Sequence, residues 1–108
     1  MNQQQVFPIF FGAPLIIDAQ LVPSSPTDLV VGDCSLFRIE LTNETTDLVT
    51  VTIQDKQGTP RAWIKDVPIA PNSVYGGFWI EGRRFLGGVR WSASQASAIT
   101  GYIIGVKP

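Results

Sequence analysis

Short apolar runs recur along the chain between clusters of Gly, Pro, Ser, Asn and Asp, and within most runs apolar and polar residues alternate. In "SLFRIEL", Phe37, Ile39 and Leu41 point one way and Arg38 and Glu40 the other. In "LVTVTI", Val49, Val51 and Ile53 oppose Thr50 and Thr52, and in "VRWSA", Val89, Trp91 and Ala93 share a face. A period of two marks a strand with one buried side. "PLIIDAQLV", "RAWIK", "VYGGFWI" and "ITGYIIGV" supply further strands, whereas "DVPIAPNS" is a loop or an edge strand because its prolines cannot donate to a ladder. "PSSPTD", "TNETTD", "QDKQGTP" and "EGRRFLGG" read as turns, the last a hairpin with Arg83 and Arg84 at its exposed tip. No stretch holds a helical period over three turns. About seven or eight strands with this spacing predict an all-β fold, a single antiparallel β-sandwich or small barrel. Its core would hold Phe37, Ile39, Val49, Val51, Ile53, Val89 and Trp91.

The opening "MNQQQVFPIFFGAPLII" breaks the alternation. Its uncharged "NQQQ" lacks the basic region of a secretory signal, so the segment is expected to stay in the mature chain. Pro8, Gly12 and Pro14 break any helix, and the apolar run is too short to span a bilayer. Residues 1–14 therefore read as an extended apolar N-terminal arm and 15–108 as the sandwich domain. Val6, Phe7, Ile9, Phe10, Phe11 and Leu15 need burial, either as an edge strand on their own sandwich or on a neighbouring subunit. They form the candidate assembly interface.

One hundred and eight residues make one ordinary domain, with enough chain to bury a core unaided. Only 16% of residues are charged, below the usual quarter, which suits a surface covered in an assembly. The absence of histidine and the single cysteine, Cys34, rule out a Ser-His-Asp triad, a Cys-His pair, a Cys/His zinc site and an intrachain disulfide. Cys34 reads as a half-buried small residue. Gly76-Gly77 and Gly87-Gly88 suit bulges or tight turns; no Lys-Ser or Lys-Thr follows them, so they form no phosphate loop. "NET" at 43–45 has the form of a glycosylation sequon but reads as a turn. The chain is thus expected to be no enzyme, with no catalytic residue, cofactor or metal.

Net charge is −1, giving no pull toward nucleic acid or an anionic membrane. Charge is nevertheless divided along the chain. The first half carries Asp18, Asp28, Asp33, Glu40, Glu44 and Asp47 against Arg38 alone. The second carries Lys56, Arg61, Lys65, Arg83, Arg84, Arg90 and Lys107 against Asp55, Asp66 and Glu81. Neutralisation between interleaved strands is the simple expectation, and complementary faces on neighbouring copies the alternative.

The aromatic stretch "GGFWIEGRRFLGGVRW" poses the question of a ligand site. Trp91 has the core pattern. Trp63, between Arg61 and Lys65 on one face, reads as the most exposed ring. Trp63, Trp79, Arg83 and Arg84 are the candidate exposed contacts. A sugar platform needs coplanar exposed rings beside carboxylates or amides, and single-strand nucleic-acid binding needs a continuous cationic groove. Packing and inter-subunit links suit these residues better than either ligand.

From residue 42 onward, a set of pieces carries a resemblance: Thr42-Asn43, Val49 to Asp55, Gly58-Thr59, Ile69 to Ser73, Phe85 to Gly88 and Ser92 to Ser94. Together they resemble small β-sandwich structural virion proteins of tailed bacteriophages. The resemblance implies a non-enzymatic cement or decoration protein that stabilises the head by binding between coat subunits. A neck, tail or fibre-base component, or a carbohydrate-binding module for host recognition, is the alternative. Its implied partners are other virion proteins and copies of itself, without nucleic acid or membrane. Its place would be the virion, assembled in the host cytoplasm.

Overall fold

The computed structural model describes residues 12–108, with the backbone alone at 78–81. The described residues form eight strands: β1 (Ala13–Leu21), β2 (Thr27–Val31), β3 (Cys34–Asn43), β4 (Val49–Asp55), β5 (Ala62–Ile69), β6 (Ser73–Phe85), β7 (Gly88–Ala93) and β8 (Ile99–Lys107). They build two four-stranded sheets, ordered β1-β8-β3-β6 and β2-β7-β4-β5. Every pairing is antiparallel. The chain changes sheet at every connection except β4 to β5, which is the winding of an eight-stranded jelly roll. The expected all-β antiparallel sandwich is what the chain forms. The expected arm, residues 1–14, falls mostly outside the described residues. Ala13 and Pro14 already belong to β1, opposite Lys107 and Val106, so the sheet begins two residues before the expected boundary.

The strands differ from the expected set where backbone irregularities override the pattern. Thr27–Val31, within a Pro- and Ser-rich stretch, is short and shows too little alternation to announce β2. "RAWIK" and "DVPIA" fuse into β5, an edge strand as its proline requires, with Pro68 opposite Thr50. The joint is a bulge at Asp66, whose φ is +47° and whose N–H is accepted by the Thr52 hydroxyl at 3.0 Å. Asp66 therefore lies within a strand.

Phe37 leaves the core for a similar reason. On β8, Gly105 faces Leu36 and Ile104 faces Arg38, so Phe37 is the extra residue of a β-bulge. The bulge resets the alternation, and Leu36 and Ile39 both turn inward and are fully buried. Phe37 is half-buried, its ring against Gly82, where an added Cβ would lie 2.8 Å from the ring and φ is +84°. The same disturbance continues into β6, which pairs Arg83 with Leu36 but Phe78 with Arg38, so residues 79–82 arch out between them. The expected 81–88 hairpin is absent, because β6 runs on to Phe85 in one sheet and β7 starts at Gly88 in the other. Arg83 and Arg84 sit on a strand opposite Leu36 and Ser35, not at a loop tip.

Ile39, Val49, Val51, Ile53, Val89 and Trp91 are buried as the alternation predicts. Leu36, Leu41, Phe85, Ile99 and Ile103 complete the layer between the sheets. Trp91, the bulkiest side chain there, reaches from β7 to β8 and rests on Gly101. A Cβ at Gly101 would lie 2.6 Å from the Trp91 ring, closer than atoms tolerate.

Two buried polar side chains, Asn43 and Asp55, hold turns rather than chemistry. The Asn43 amide donates to the carbonyls of Asp47 (2.8 Å) and Ile69 (3.0 Å). Its oxygen accepts from the Thr45 N–H and hydroxyl. The sequon asparagine is thus fully engaged by its own turn. Asp55 accepts from the Arg61 N–H at 2.8 Å and from Gln57 at 2.9 Å, closing the "QDKQGTP" turn.

Removing the Trp91 ring should cost about 3–5 kcal/mol, whereas Thr50→Ala on the outer face should cost under about 1. Gly101→Ala should destabilise by about 1–3 kcal/mol through overpacking. Adding Trp91→Phe to Gly101→Ala should recover part of that loss. Urea melts of these variants, of Trp91→Phe alone and of the double variant test this, and strictly additive costs would show that the ring and the glycine are not coupled.

Candidate interaction surface

The two sheets present unlike outer faces. On the second sheet, the central strands β4 and β7 turn Thr50, Thr52, Gln54, Arg90 and Ser92 outward, a polar face suited to water. On the first, β1 and β8 are apolar on both sides. Leu15, Ile17 and Ile103 pack inward, while Ile16 and Ile104, opposite each other in the ladder, remain 68% and 47% exposed. Tyr102 adds a third exposed side chain to this face.

These residues line an open groove of about 260 Å³ with Asp18, Arg38 and Glu40 along it. It adjoins a recess of about 200 Å³ between Gly12, Pro14, Phe37 and Val106, and both share Ile16 and Ile104. On the β6 side the floor continues over Gly76 and Gly77, where the strand carries no side chain. Both glycines lie in regular ladder positions opposite Glu40 and Ile39, whereas Gly87 and Gly88 have the positive φ of a turn. Arg38 and Glu40 form an exposed ion pair at 3.2 Å beside the groove. The surface can bind an apolar partner and offers one base, Arg38, and two acids, Asp18 and Glu40, along it.

Among the sequence-based candidates, Val6, Phe7, Ile9, Phe10 and Phe11 lie outside the described residues, as does the side chain of Trp79. Leu15 is half-buried against the core, and its neighbour Ile16 is the one exposed to the groove. Trp63 is not an open platform. It is half-buried, meets Phe85 edge-on at 5.9 Å, and has the Arg61 and Arg83 guanidiniums each 4.8 Å from its centroid. Its indole N–H is buried and has no hydrogen-bond partner among the described residues. This stack lies where edge strands β5 and β6 meet, and cation–π contact there covers the flank of the core. Arg84 is exposed and pairs with Asp33 at 3.4 Å. Ile16, Tyr102 and Ile104 were not among the sequence-based candidates. The available signal was that "PLII" and "GYIIGV" carry apolar residues at both parities, unlike "LVTVTI".

The divided charge is knitted together in the fold. Asp28 bridges Lys56 at 2.6 Å and Arg90 at 3.2 Å, and Asp33 meets Arg84, each joining a first-half acid to second-half bases. The Lys56 hydrogen bond holds the Asp28 carboxyl below its ordinary pKa. Cys34 is buried, and that burial pushes its thiol up to about 11, leaving it a poor nucleophile at neutral pH. Among the described residues, no group of His, Cys, Asp and Glu is placed to hold a metal, and no helix is long and apolar enough to cross a membrane. Comparison with protein-family models, curated proteins and solved structures finds no match.

Because its folded-state pKa is lowered, Asp28 stabilises the fold above the unfolded carboxylate range near ~3.9, and that support is lost as pH falls through the folded value. Asp28→Asn should therefore lower the urea midpoint at pH 7, with the gap to the native chain closing in acid. A gap that persists unchanged at low pH would assign the loss to packing rather than charge.

Proposed function

We propose that the protein is a non-enzymatic structural component that binds other protein subunits, a cement or decoration protein of a tailed-phage virion. The observation that supports this best is the contrast between the polar outer face of the central strands β4 and β7 on one sheet and an exposed row of Ile16, Tyr102 and Ile104 on the other. Leaving such side chains in water forgoes roughly 25 cal/mol for each Å² of apolar surface, which a partner subunit recovers. The jelly-roll winding suits the role but does not choose it, since capsid proteins, lectins and cupins all use it. Residues 1–11 supply the complementary piece, with Val6, Phe7, Ile9, Phe10 and Phe11 in a segment that holds no charged side chain. An apolar segment that docks as an added strand clamps a neighbour at small side-chain cost. The coat shell is the proposed partner, the neck, tail or fibre base a second position for the same chemistry. Two guanidiniums over Trp63 weigh against a sugar platform there.

Deleting residues 1–11 should leave the β circular dichroism spectrum intact and abolish both self-association in sedimentation and binding to coat shells. Arg83→Ala with Arg84→Ala should weaken binding only modestly and in a salt-dependent way. Loss of fold on deletion, or binding abolished by the arginine changes alone, would overturn the proposal.

A further inference from the structure

The groove on the outer face of β1, β8 and β3 has a particular occupant. We propose that it seats the Val6–Phe11 segment of a second copy of this chain, an inference that rests on reading that segment as an assembly element. The segment ends at Gly12, and Gly12 itself lines the outer recess of the groove, so the root of each segment stands at the mouth of its own copy's groove. Eleven residues reach at most about 40 Å, enough to cross to a neighbour's sheet.

The chain's own segment is poorly placed to turn in. β1 leaves Gly12 with Pro14 and Ile16 already forming the groove wall, and the space beside the Gly12 Cα is filled by the Lys107 carbonyl. A reversal there would use Phe10 and Phe11, two of the residues to be buried, for the turn. A second copy related by a twofold axis meets no such conflict, because each root then faces the other's groove and both segments dock at once. Part of the margin fits the same symmetry, with Asp18 adding a second carboxylate there. Arg38 and Glu40, side by side at 3.2 Å, present a pair that matches its own twofold image, arginine to glutamate and glutamate to arginine.

The test uses full-length chains. Phe10→Cys on one chain and Ile104→Cys on a second, size-tagged chain are mixed and oxidised, with Leu48→Cys, on a distant exposed position, as the control partner. Cys34 is buried and stays out of the reaction. Disulfide-linked heterodimer should form several-fold more with Ile104→Cys than with Leu48→Cys. In the double variant carrying both cysteines, the product should be intermolecular. A monomeric, internally linked product would overturn the second copy as occupant, and yields equal to the control would overturn the groove. Ile16→Asp with Ile104→Asp should leave the circular dichroism spectrum unchanged and abolish self-association. If deleting residues 1–11 abolishes association while the groove variants leave it intact, the assembly reading stands and the groove assignment falls. If the deletion leaves association intact, both fall.

Discussion

The fit of Trp91 against Gly101 sets the conditions for the rest of the structure. An indole standing between two sheets fills most of the gap, so the position facing it must give up its side chain altogether. That single match fixes how β7 lies over β8, and through them how each sheet is laid over the other. Ile53, beside Trp91 in the ladder, and Ile99 and Ile103, flanking Gly101 on the same face, then close around the ring. A methyl group at Gly101 or a smaller ring at 91 would leave either a clash or a void at the centre of the layer.

Around this centre, the turns are secured by side chains that give up their other uses. Asn43 commits both its donors and its acceptor to backbone and Thr45, and Asp55 commits both oxygens to the loop that follows β4. The ion pairs of Asp28 and Asp33 tie strands and loops from opposite ends of the chain, which a jelly roll brings side by side by interleaving early and late strands. Part of the charge that looks segregated along the sequence is therefore neutralised in space.

What this stable frame leaves over is the asymmetry of its two outer faces. Thr and Ser on β4 and β7 satisfy water without help, while Ile16, Ile104 and the ring of Tyr102 leave apolar surface in it. Bulges sharpen the contrast. The extra residue in β3 expels Phe37 to the groove side of the first sheet, where it joins Pro14 and Val106. The surface that supports the proposed function is thus partly made by the same irregularity that keeps Leu36 and Ile39 both inside.

The alternation alone determined much of the frame. Val49, Val51 and Ile53 in β4 and Val89 and Trp91 in β7 were legible because those strands are regular and have one wet face, so parity maps directly onto burial. For Pro68 the missing N–H excluded a central strand and left a loop or an edge strand, and the fold makes it the edge. Tertiary structure decided whatever depended on a change of register or on a partner strand far away in sequence. Phe37 changed sides because a bulge adds one residue to the count. Arg83 and Arg84 became strand residues because β3, far earlier in the chain, extends its ladder past the "EGRR" that read locally as a turn. Trp63 was covered because β5 and β6 meet edge to edge with two arginines over the ring. The exposed row on β1 and β8 lies between these cases. Its residues were apolar in plain sight, but a strand apolar on both faces reads the same whether another layer covers it or not, and only the two-layer fold shows which side was left open.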